Sequence, residues 1–123
     1  MSVLRDFELQ AIALLTEGLL SREQLALLAA ITEPVSYNYS GSGYFLTLAH
    51  PALPLDRETL TLPFVAGTFQ DIMCGFVVFL GGHELMLECH SVCGPVVPSN
   101  FRALDVQVRV EPTNLVDLRP AAT

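Results

Sequence analysis

"DIMCGFVVFLGGHELMLECHS", residues 71–91, is the stretch whose reading decides the fold. Two apolar, β-prone runs flank Gly81-Gly82. That is the signature of a two-residue hairpin, because both residues of such a turn need positive φ. Placing the turn on the two glycines sets Leu80 opposite His83, Val78 opposite Leu85, Phe76 opposite Leu87 and Cys74 opposite Cys89. This face is almost wholly apolar and is expected to lie against helices. The other face pairs Phe79 with Glu84, Val77 with Met86 and Gly75 with Glu88. It is mixed, and Val77, Phe79, Glu84, Met86 and Glu88 form the candidate surface for solvent or a protein partner.

Upstream of the hairpin the apolar period changes from helical to alternating. Over residues 3–17, Phe7, Ala11, Leu14 and Leu15 recur at helical spacing, with Arg5, Glu8 and Glu17 read as the polar side. Gly18 suits the left-handed residue that ends a helix. Ser21 and Gln24 match a capping box, so a second helix is expected over 22–32, stopped by Pro34. From Val35 the pattern alternates, with Val35, Tyr37 and Tyr39 on one side, and "GYFLTLAH" continues as a second extended segment. "PALPLDRE" is a proline-rich loop. "TLTLPFVAGTF" is strand-like, and its Pro63 favours an edge or a strand start. After the hairpin, "GPVVPSNF" reads as a loop, "LDVQVRV" at 104–110 as a last strand, and 111–123 as a tail in which Leu115-Val116 could dock. Two helices followed by strands give one α+β domain spanning 1–123. A helical hairpin (3–32) packs on one face of a mainly antiparallel sheet of about five or six strands (34–110).

Composition narrows the function. Of 123 residues, 51% are hydrophobic and 15% charged, against roughly 25% charged in an ordinary domain. A small domain with so little charge is expected to cover apolar surface with another chain, most simply in a homodimer. The net charge is −7 and there is no lysine. Six scattered arginines form no basic stripe, so no nucleic acid is expected as partner. The missing lysine removes Schiff-base chemistry and the lysine of phosphate-binding loops. Three cysteines and no secretory leader suit a reducing cytosol, so a cytoplasmic location is expected. The longest apolar run, 72–82, is too short to span a bilayer, so no membrane is expected as partner either.

Three motifs invite chemistry. "YNYSGSGYFLTL", 37–48, has the glycines of a phosphate loop, but a β-prone run follows Gly43 where a helix is required. Gly41 and Gly43 therefore read as a bend or bulge, which leaves Tyr39, Ser42, Tyr44 and His90 as candidates for lining the pocket of a small-molecule binder or enzyme, the alternative reading of the chain. "ECHSVCG" offers Cys89, His90 and Cys93, but zinc takes two close ligand pairs and alternation puts Cys89 and His90 on opposite faces. No metal or cofactor is expected, and Cys74 and Cys89 read as free thiols. Glu88, Cys89, His90 and Ser91 are adjacent, yet neighbours on a strand diverge, so no catalytic residue is assigned and the chain reads as non-enzymatic.

"YSGSGYF" at 39–45, "CGFVVFLGGHELMLEC" at 74–89 and the helical "LLTEGLLSREQLALLAAI" together resemble a group of small uncharacterised bacterial α+β proteins. These have a Tyr-x-Gly-x-Gly-Phe bend and a Gly-Phe hairpin that ends in Leu-Glu-Gly. This chain has Leu87-Glu88-Cys89 at that last place. The resemblance covers about residues 7–90 and brings no established activity. At the level of size and acidity, the chain is similar to immunity proteins of toxin systems, which implies a basic protein partner.

Overall fold

The first two elements show how the sequence starts its helices. The computed structural model describes residues 2–92 and 97–111. Helix α1 spans Asp6–Leu15 and α2 spans Arg22–Ala30. At the start of α2 the capping box forms as expected: Ser21 Oγ accepts the Gln24 N–H at 3.1 Å, and Gln24 Oε1 accepts the Ser21 N–H at 2.7 Å. Gly18 takes φ 88° between the helices. Helix α2 ends at Ala30, a turn before Pro34, with Ile31 already extended.

Six antiparallel strands follow: β1 Ser36–Tyr39, β2 Gly43–Ala49, β3 Glu58–Phe69, β4 Ile72–Gly81, β5 Glu84–Ser91 and β6 Gln107–Val110. A short 3-10 turn, Phe101–Ala103, precedes β6. The strand order is β1-β2-β5-β4-β3-β6. The α+β class and the helices on one face are as the sequence implies.

The 71–91 hairpin forms, but its register differs by two residues from the expected one. Gly81 pairs with Glu84, Leu80 with Leu85, Val78 with Leu87, Phe76 with Cys89 and Cys74 with Ser91. The turn residues are Gly82 and His83, at φ 60° and 62°. A histidine in the left-handed region costs roughly 1 kcal/mol. The 50–57 loop holds it there. The N–H groups of Gly82 and His83 donate to the carbonyls of Leu55 and Pro54, and His50 N–H donates to the His83 carbonyl. His83 Nδ1 lies 2.7 Å from the Leu53 carbonyl, so Nδ1 carries the proton. A slip of two keeps every side chain on its expected face, because the strand period is two.

Pro63 is a second correction. It stands inside β3, which lies between β4 and β6 rather than at an edge. β3 steps from Leu60 opposite Val78 to Val65 opposite Phe76, so 61–64 bulge out opposite Val77 alone. The β6 ladder begins only at Val65, so the missing N–H of Pro63 breaks no pairing.

The core lies between the helices and one sheet face. Tyr44, Leu46 and Leu48 of β2, Leu85, Leu87 and Cys89 of β5, Cys74, Phe76, Val78 and Leu80 of β4, and Val65 of β3 meet Phe7, Ala11, Ile12, Leu15 and Leu28 there. Phe7 anchors the contact, its ring centroid 6.1 Å from Phe76 and 5.9 Å from Phe101.

Candidate functional site

The Gly-Ser-Gly stretch is a hairpin turn. Tyr39 pairs with Tyr44, and Ser40 N–H donates to the Gly43 carbonyl. A strand, β2, leaves Gly43, so no helix N-terminus is presented to a phosphate. Gly43 is required by close approach: a Cβ there would lie 1.8 Å from the Cys89 carbonyl oxygen, and φ is 154°.

The proposed pocket around this turn is not assembled. Tyr44 is 1% exposed and points to the helices. Tyr39, on the same side, donates its hydroxyl to the Val97 carbonyl. His90 pairs with Gly43 and with Gly75 on the opposite face, and Ser42 is exposed in the turn itself. The sheet therefore separates His90 from both tyrosines. The His90 ring leans over Gly75 beside Phe64, with its Nδ1 buried and unpartnered among the described residues.

The cysteines divide in the same way. Cys89 faces the core and His90 faces away from it, while Cys93 lies outside the described residues, as does Leu115-Val116. Cys74 and Cys89 are free and buried. They are diagonal neighbours rather than directly opposed, since Cys74 pairs with Ser91. A hydrogen bond with the Cys74 thiol, and then burial, push the Cys89 thiol well up, so it stays protonated and is a poor nucleophile. Among the described residues, no three His, Cys, Asp or Glu side chains converge to hold a metal ion.

The inner face holds a charged cluster that the helical pattern conceals. Glu8, read as part of the polar side of α1, is fully buried. Its Oε1 accepts the Arg5 N–H at 2.8 Å and Arg102 Nη2 at 2.8 Å. Its Oε2 accepts the Tyr44 hydroxyl at 2.5 Å and Arg102 Nε at 2.6 Å. Arg102 Nη2 also donates to the Val3 carbonyl. The guanidinium lies 5.5 Å from the Tyr37 ring centre and 5.9 Å from that of Tyr44. The hydrogen bond to Glu8 raises the Arg102 pKa, and burial followed by the Glu8 charge raises that of Tyr44. Four donors occupy the carboxylate, so it has no lone pair free to act as a general base. The cluster is a clasp: it ties α1, the sheet and the turn before β6 together.

The outer face is different, because neither helix covers it. Its side chains form rows across the strands. Thr59, Phe79, Met86 and Thr47 make one row, and Val77, Glu88 and Phe45 make the next. Phe45, Val77, Phe79, Met86 and Glu88 are half-buried by their neighbours, and Glu84 is exposed. All five candidate partner residues therefore share one surface. At its hairpin end this face hollows into a groove of about 750 Å3, lined by Thr47, Leu55, Arg57, Phe79, Glu84 and Met86 among others. Sequence reading finds the floor of the groove but misses its wall: Leu55 and Arg57 come from the proline-rich loop. The signal available was the apolar Leu55 beside a charge pair in a segment otherwise read as plain connection. No described helix is long and apolar enough to cross a membrane.

No family model, no curated protein and no solved structure matches the chain.

Proposed function

We propose that this chain is a non-enzymatic protein of the bacterial cytosol that acts through protein–protein contact, as a homodimer joined through the outer face of its sheet. The observation that carries this reading is the uncovered face, where Phe45, Val77, Phe79 and Met86 lie side by side with no helix over them. Contiguous apolar surface of this kind marks interaction sites on small domains, and the low charged fraction of the chain, 15%, leaves little else to keep it wet. Glu84 and Glu88 form the polar part of the same surface. A small-molecule pocket built from Tyr39, Ser42, Tyr44 and His90 is disfavoured, because the sheet runs between its parts.

Light scattering at micromolar concentration tests the reading. The expected mass is twice the 13.4 kDa of one chain, falling to one chain in Phe79→Glu while the circular dichroism of the fold is kept. A wild-type protein that stays a single chain, and is stabilised against heat by a small metabolite, would replace contact with ligand binding.

A further inference from the structure

Resting on that reading, we infer that the occupant of the hairpin-end groove is a second copy of this chain, paired about a two-fold axis near Gly81 and fastened by Arg57 of each copy to the partner's Glu84. Three observations lead there. Firstly, Arg57 and Glu84 flank Gly81 on the outer face. Gly81 pairs with Glu84 on one side, and on the other the stem of Arg57 lies against it, so that a Cβ at Gly81 would come 3.0 Å from Arg57 Cγ. Secondly, neither charge is paired among the described residues. The ion pairs among the described residues are Glu8 with Arg102 and Glu111 with Arg109, and neither Arg57 nor Glu84 belongs to one. Thirdly, apolar groups lie along the line of such an axis, which runs parallel to the strands, and so can meet their own counterparts. Phe79 and Met86 line the groove on the sheet side of Gly81, and Leu55, 64% exposed, stands by the turn on the other side.

Charge complementarity selects the second copy over other partners. A uniformly basic partner would leave Arg57 facing its own sign, and a uniformly acidic one would do the same to Glu84. A patch that carries both signs on either side of a residue without a side chain is complementary to itself under a two-fold rotation, as an isologous interface must be. The rotation, about an axis parallel to the strands, lays each Arg57 over the partner's Glu84 and brings Leu55 and Phe79 against their own counterparts in the partner. The shortest route between the two sheets then runs over Gly81.

A charge swap tests this pairing. Dimer dissociation constants are measured by sedimentation for the wild type, Arg57→Glu, Glu84→Arg and the double variant, each checked for fold by circular dichroism. Symmetry makes each single substitution act twice, so each is expected to weaken the dimer by roughly tenfold or more. The double variant is expected to return to within a few-fold of wild type. A wild-type dimer that neither single variant weakens, or whose weakened variants the double does not restore, overturns this pairing and leaves the homodimer reading standing. A wild-type chain that stays single overturns both. If that single chain also binds a basic probe such as cytochrome c, the face is an acidic docking surface for another protein.

Discussion

Along β4, Cys74, Phe76, Val78 and Leu80 point to the helices and are at most 5% exposed, while Met73, Val77 and Phe79 point the other way and remain half-buried. Both sets are apolar and alternate residue by residue in one strand. What separates them is only whether a layer lies above. The inner face is closed by α1 and by the turn at Phe101, and even its charges are internally satisfied, with Glu8 held by four donors. The outer face has comparable apolar groups, but its charges at Arg57 and Glu84 are unpaired among the described residues. A face that satisfies itself is built for stability, and one that leaves both apolar area and charge unmatched is open to a partner.

This contrast can be broken most severely at the clasp. Glu8→Ala strands the Arg102 guanidinium and the Tyr44 hydroxyl inside the protein, and should cost about 3–5 kcal/mol in chemical denaturation. A much smaller loss would mean that water reaches the cluster. The next largest effect compares two adjacent residues of β5. Leu87→Ala opens a cavity on the inner face and is expected to cost about 2–5 kcal/mol. Met86→Ala, measured at concentrations where the chain is single, should cost under about 1 kcal/mol, since its side chain is already partly wet. Equal losses would show that the outer face is a second core.

A smaller effect sharpens the inner face in alkali. Tyr44 and Cys89 both have folded pKa values raised above their unfolded ones. The native state therefore holds protons that the unfolded chain gives up. Their contribution is intact below the unfolded thiol and phenol values, about 8.5 and 10, and is lost as pH rises past them. Stability should fall by up to about 1.4 kcal/mol per group for each further pH unit, first with Cys89 and then with Tyr44. Urea melts between pH 8 and 11 would read this, and Cys89→Ser should remove the earlier fall.

Much of the fold was open to sequence reading because it rests on local patterns. The capping box at Ser21 and Gln24 fixed the start of α2, and alternation from Ile72 to Ser91 fixed which side chains face the helices. The register of that hairpin was not readable. A Gly-Gly pair is the best local turn, yet the loop at Leu53–Leu55 holds Gly82 and His83 in its place. Glu8 was misread for a related reason. Helical spacing assigns a carboxylate to the wet side unless its partner is known, and Arg102 is 94 residues away in the chain. That Val77, Phe79, Glu84, Met86 and Glu88 share one face was legible from alternation, whereas the Arg57 wall of the groove beside them was not.

The sequence by itself determined the element types, the two sheet faces and the separation of Cys89 from His90, because each follows from side-chain periods of 3.6 and 2 and from the short-range chemistry of caps and turns. Only the tertiary structure decided the hairpin register, the burial of Glu8 beneath Arg102 and the meeting of Arg57 with Gly81. Those depend on contacts between distant segments, whose free energies outweigh local preference once the chain has closed its loops.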